Sequence, residues 1–172
     1  AFRQIALACL EQLQRNEAGI LHDPDPEYVH QARVALRRLR SAINVFAPVL
    51  PPAFTTTWSA AWKNLAGAFG DTRNWDVFTG ETLPPIAAAF PTDRSTRRLF
   101  ATGRRKAGEA RRTLARVLLG DDYPRQVTQF TAALFALDDT ATLPLRTFAL
   151  QRLSRRARQA RRLARRPTGL TD

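Results

Sequence analysis

The sequence predicts an all-α protein, an antiparallel helical bundle, and three observations predict it. Gly and Pro gather at the ends of long intervals. Those intervals carry an apolar period near 3.6 residues, and no segment of useful length alternates with the period of two that a strand needs. The chain of 172 residues is long enough to bury a hydrophobic core without disulfides or metals.

Taken in order, a first helix is expected from about Phe2 to Ala18, with Ile5, Cys9, Leu10 and Leu13 on one side and Gly19 as its end. His22-Asp23-Pro24-Asp25-Pro26 reads as a turn, in which Asp25 caps a second helix with Pro26 at its first position. That helix runs to about Ala47 and stops before Pro48. Pro51-Pro52 open a third helix that reaches Phe69 and closes at Gly70. A short helix around Arg73–Thr82 follows and is broken by Pro84-Pro85. Pro91-Thr92-Asp93 start a long basic helix ending near Gly120, another spans about Asp122–Leu137, and Pro144 opens the last, which runs to about Arg166. Connections this short favour antiparallel neighbours. The aromatic residues Phe46, Trp58, Trp62, Phe69 and Phe90 read as core.

Charge narrows the function. The chain holds 27 Lys and Arg against 15 Asp and Glu, a net charge of +12, and Lys stands only at positions 63 and 106. A guanidinium grips phosphate oxygens with a planar fork, whereas an ammonium is a point charge. Codon bias in a GC-rich genome also raises Arg over Lys, but it does not explain the net charge or its placement. Cys9 is the only cysteine, so an intrachain disulfide is excluded and a small core residue is expected. The absence of a long apolar run excludes a membrane-spanning helix. No signal-peptide pattern is visible, which suggests a cytoplasmic protein.

The sharpest constellation is His30-Gln31-Ala32-Arg33-Val34-Ala35-Leu36-Arg37-Arg38-Leu39-Arg40. At about 100° per residue, His30, Arg33 and Arg37 share a narrow arc with Arg40 on its flank, while Ala32, Leu36, Leu39 and Ile43 form a separate one. One helix therefore carries a core stripe and a cationic stripe. The cations advance by about 5 Å per turn, a spacing suited to an extended anion. A solvated basic face is the bland alternative, yet Arg33 and Arg37 at i, i+4 repel each other unless an anion lies between them. His30 lacks the companions of a zinc site and reads either as a capping residue or as a donor at the end of the stripe.

A second segment, Trp62 to Val77, offers Lys63, facing away from the Leu65–Phe69 side, with Gly67 allowing close helix packing. Arg73 and Asp76 lie one turn apart and can pair, so that Asp76 would hold Arg73 or a stripe Arg in place, or the two make an ordinary surface pair. The last helix has Arg152, Arg155, Arg156, Arg158, Arg161, Arg162, Arg165 and Arg166 on a broad face, with Leu150, Leu153, Ala157, Ala160 and Ala164 opposite. It reads as a groove wall through Arg155, Arg158 and Arg162, or as a polybasic tail. The helix with Arg94, Arg97, Arg98, Arg104, Arg105, Lys106, Arg111, Arg112 and Arg116 is basic on several sides and reads as an outer rim.

The two segments in order resemble the signature of the CHAD family, the conserved histidine α-helical domains. That signature is similar to His30, Arg33 and Arg37-Arg38-Leu39-Arg40 here, followed by Lys63, Leu65, Ala66, Gly70, Arg73, Asp76 and Val77. Asn74 stands where the family usually has Asp, which puts one charge pairing in doubt. The match is good over roughly residues 1–120. The resemblance implies a bundle of two similar halves around a basic groove that binds inorganic polyphosphate, often linked to triphosphatase domains and polyphosphate granules. It assigns the groove to His30, Arg33, Arg37, Arg40, Lys63 and Arg73, with Arg38 in the same run and Asp76 and Asn74 in support. A shift of 143 residues lays Leu145–Leu150 over Phe2–Leu7, Leu153 over Leu10 and Pro167 over Pro24. The expected organisation is thus a first half over 1–142 and the first helix of a second, incomplete half over 143–172. A second copy or a further C-terminal half would complete the groove.

The residues give no Ser/His/Asp arrangement, metal cluster or Gly-rich phosphate loop, and His22 beside Asp23 and Asp25 does not make a site. Phosphoanhydride cleavage usually calls for a metal held by clustered carboxylates, and Asp71 and Asp76 alone do not supply one. The expectation is binding without catalysis, with no cofactor and no metal. The alternatives are a nucleic-acid protein that meets backbone phosphates with the same Arg rows, an accessory substrate-binding subunit of a triphosphatase or polyphosphatase, and an enzyme whose site is not apparent.

Overall fold

The computed structural model describes residues 1–138 and 144–164, all of them helix, turn or connection with no strand among them. The chain forms two compact units, Ala1–Leu137 and Asp138–Asp172. The boundary expected at 142/143 and the positions of Arg165, Arg166 and Pro167 lie outside the described residues.

In the first unit, α1 (Phe2–Arg15) buries Phe2, Ala6, Cys9, Leu10 and Leu13 at helical spacing. Ile5, expected beside them, is 40% exposed because it stands on the flank of that stripe. The helix ends earlier than Gly19. The Asn16 side chain donates to the Gln12 carbonyl at 2.7 Å, and a short helix, α2 (Glu17–His22), resumes straight through Gly19. Gly19 is not a terminator here. A Cβ at this position would lie 2.2 Å from the Tyr28 ring, so the glycine makes room for that ring. The turn after α2 matches expectation: Asp23 Oδ1 accepts from Asp25 N at 2.9 Å, and Asp25 Oδ1 accepts from Glu27 N at 2.8 Å with Pro26 at the first helical position.

The next helix, α3 (Pro26–Phe46), turns Val29, Ala32, Ala35, Leu36, Leu39, Ala42 and Ile43 inward and runs into a 3-10 turn at Ala47–Val49. Then α4 (Pro52–Val77) passes Gly70 without interruption, continues through a π turn at Phe78–Thr82, and joins α5 (Leu83–Ala89). The break expected at Gly70, the separate helix at Arg73–Thr82 and the break at Pro84-Pro85 are all absent. Gly70 keeps an ordinary helical conformation. Pro84 and Pro85 occupy the first turn of α5, where a missing N–H costs little, and the wider π turn before them accommodates their rings. The long helix α6 (Arg94–Leu119) is capped by Asp93, which accepts from Ser95 N at 3.0 Å and Thr96 N at 3.3 Å. It is followed by α7 (Asp122–Phe135).

Successive long helices are antiparallel. Phe2 of α1 meets Phe46 of α3, while Gln12 meets Gln31. Asp76 of α4 meets Arg111 of α6, while Leu83 lies against Gly103. One apolar core joins them, with Phe130 of α7 seated edge-on against Trp58 and Trp62 of α4 at centroid distances of 4.9 and 5.0 Å. Cys9 is a free thiol inside this core, and burial pushes its ionisation up, partly offset by the Arg38 charge. Phe90, expected in the core, is 60% exposed at the end of α5. The second unit holds α8 (Leu145–Ala164), whose Leu150 and Leu153 are exposed. No helix among the described residues is long and apolar enough to cross a membrane.

Candidate polyanion-binding face

The face is set by how α3 packs. Its apolar stripe is buried between α1 and α4, which leaves the opposite side to solvent with Arg33 and Arg37 exposed and His30 and Arg40 half-buried. The stripe leans toward α4: an Arg33 guanidinium nitrogen lies 3.7 Å from where a Cβ on Gly70 would stand. On α4, Lys63, Ala66, Gly67 and Gly70 follow at i+3 and i+4 steps along one side, away from the buried Trp62, Leu65 and Phe69. Lys63 is exposed as expected. Gly67 does not serve close helix packing, because a Cβ there would meet nothing within 4 Å. It leaves the lane beside the α3 cations low and open.

Pairing separates the cations into two groups. Among the described residues no carboxylate lies within ion-pair distance of Arg33, Arg37, Arg40 or Lys63. On α6, by contrast, Arg105 and Lys106 share Glu109 and Arg111 is held by Asp76. Uncompensated guanidiniums one turn apart on α3 raise the local positive potential and gain most from an anion laid across them.

The other expected residues have their own surroundings. Arg38, about 100° round the helix from Arg37, faces α1 and donates to Gln12 Oε1 at 3.0 Å. Gln12 in turn donates to Gln31 at 3.1 Å, and Gln31 to Glu27 at 2.5 Å, so Arg38 ends a polar chain across the α1–α3 contact. Arg73 does not pair with Asp76 but donates to Glu81 of the π turn at 3.2 Å. Asp76 is turned into the α4–α6 contact, where Oδ1 accepts from Arg111 Nε at 3.2 Å and Nη2 at 3.0 Å. The side chains at 73 and 76 project about 60° apart, and only Asp76 reaches the core side. Asn74 is exposed on the outer side of α4. Arg155, Arg158 and Arg162 are exposed on α8 of the second unit. Arg111 is the residue sequence reasoning placed wrongly, as part of an outer rim. Only the unusual presence of a carboxylate at a core position of α4 signalled that some distant cation must meet it.

A concavity of about 650 Å³ in the first unit is lined by residues of α2, α4, the π turn and α6, and it includes none of His30, Arg33 or Arg37. No group of His, Cys, Asp and Glu that could hold a metal ion occurs among the described residues.

A family model described as the CHAD domain matches residues 4–172. The crystal structure of the CHAD domain from the plant Ricinus communis is similar to this chain with a TM-score of 0.77 and 31% sequence identity. That alignment covers 98% of this chain and 56% of the plant chain, so this chain spans about half the length of its structural relative. Among curated proteins none matches.

Proposed function

This protein belongs to the CHAD family, and from that premise we propose that it binds inorganic polyphosphate along the outer faces of α3 and α4 without cleaving it. The observation that carries the reading is the set of cations, Arg33, Arg37, Arg40 and Lys63, left without carboxylate partners among the described residues on adjoining helices. Polyphosphate carries about one negative charge per phosphate and has no side groups. It would follow the stripe from His30 to Arg40, with each guanidinium taking phosphate oxygens through charge-assisted bonds. The open lane at Gly67 and Gly70 would let the chain approach the α4 backbone. Arg73, tied to Glu81, would stand at the end of the track. In a cell this reading places the protein at cytoplasmic polyphosphate granules.

The test is a titration with long-chain polyphosphate, single-stranded DNA and duplex DNA at matched phosphate concentration and salt. Polyphosphate is expected to bind most tightly, and equal binding of DNA refutes the reading. Arg33→Ala with Arg37→Ala is expected to weaken polyphosphate binding by at least about tenfold, from the ~1.5–3 kcal/mol of each charged hydrogen bond, with helicity unchanged. Unchanged affinity would move the site off α3. Phosphate release on addition of Mg²⁺ would replace binding with catalysis.

A further inference from the structure

The first unit has a second basic feature, away from the α3–α4 face. In the concavity of about 650 Å³, Arg104, Arg111 and Arg112 of α6 stand with His22 of α2, and Ile20, Leu21, Ala107 and Ala115 give it an apolar wall. Among the described residues neither Arg104 nor Arg112 pairs with a carboxylate. Asp23, on the rim, is engaged by the Asp25 N–H. Arg111 is fixed through Oδ1 of Asp76, whose side chain is only 5% exposed. Asp76 itself lines the concavity, and its other oxygen, Oδ2, is buried with no hydrogen-bond partner. The concavity thus combines a demand for an anion with an apolar surface. Its walls stay low where Gly80 and Gly108 line it. A Cβ on Gly80 would meet nothing within 4 Å, and one on Gly108 would meet only an Arg112 guanidinium nitrogen at 3.4 Å.

We propose that this concavity binds a nucleoside phosphate, with its phosphates on Arg104 and Arg112 and its base against the apolar wall. Inorganic polyphosphate meets only the first of these, having no apolar body. The volume lies within the ~300–1,000 Å³ of small-molecule sites. The site shares no residue with the α3–α4 face, so its failure and that of polyphosphate binding there are separately visible.

The experiment is calorimetric titration of the whole chain with ADP, and with pyrophosphate as the probe that lacks a body. ADP is expected to bind at least about tenfold more tightly than pyrophosphate, the margin of its apolar contact. Gly80→Phe, which fills the open wall, and the double variant Arg104→Ala with Arg112→Ala are each expected to weaken ADP by about tenfold or more. Arg33→Ala with Arg37→Ala is expected to leave ADP binding within about twofold, because those residues lie outside the concavity. Should Gly80→Phe lose its helicity, the double Arg variant decides alone. Absence of ADP binding, equal binding of pyrophosphate, or loss of ADP in the Arg33/Arg37 variant overturns the proposal.

Discussion

At the scale of single residues, Gly19 and Gly67 look alike in the sequence, each in a helical stretch beside alanine, and they do opposite things. The place of a Cβ at Gly19 is already filled by the base of the Tyr28 ring, 2.4 Å away at Cγ, and a ring cannot swing from its own root. Gly19→Ala is therefore expected to destabilise the protein by about 1–3 kcal/mol, the scale of overpacking, in spite of alanine's better helix propensity. Gly67 faces open space in the interior of α4. Gly67→Ala is expected to stabilise it by about 0.5–1 kcal/mol through the reduced freedom of the unfolded chain. Urea unfolding of the two variants checks both signs, and a stable Gly19→Ala would show that Tyr28 is not held where it stands. Such differences were not legible in the sequence, since the neighbour that decides them lies on another helix. The cationic stripe was legible, because His30, Arg33, Arg37 and Arg40 owe their common side to spacing within one helix. Arg38 sits in the same run and still points to α1, since one residue on is about a quarter turn and more.

At the scale of elements, the helices were readable and their joints were not. Apolar spacing is a property of the segment itself, so α3, α6 and α7 appear nearly where periodicity puts them. Whether a helix stops at Gly70 or Pro84 depends on what packs around it. Gly70 faces Arg33 with room to spare, and the π turn at Phe78–Thr82 carries the chain into the prolines of α5. The same limit hid the partner of Asp76. Arg73 is its sequence neighbour, yet Arg111, 35 positions on, takes the carboxylate because α4 and α6 lie antiparallel there. The pair is a strong joint between the two helices. Removing one partner leaves the other charge in a nearly closed site, so Arg111→Met is expected to cost about 3–5 kcal/mol in chemical denaturation, whereas Arg73→Met, with its mostly exposed partner Glu81, costs under ~1 kcal/mol. Equal effects of the two changes would mean that Asp76 finds another donor.

At the scale of the whole molecule, the quantity to measure is how many cations one polyphosphate engages. Arg155, Arg158 and Arg162 are exposed and, among the described residues, have no carboxylate partners. They belong to a separate compact unit of a chain about half as long as its structural relative. The bound polyanion can report on this itself. Each cation that neutralises a phosphate releases condensed counterions, so the slope of log affinity against log salt counts the cations engaged, at somewhat under one unit each for nucleic acids. A surface charge merely near the ligand is screened within about 8–10 Å at physiological salt and changes that slope little. If α8 walls the same track, replacing its three arginines by Ala lowers the slope by about 2–3 units, while Arg33→Ala with Arg37→Ala lowers it by ~2, each measured with long-chain polyphosphate. A slope untouched by the α8 changes would confine polyphosphate to α3 and α4, and the last helix would then be a basic segment whose anion is another molecule.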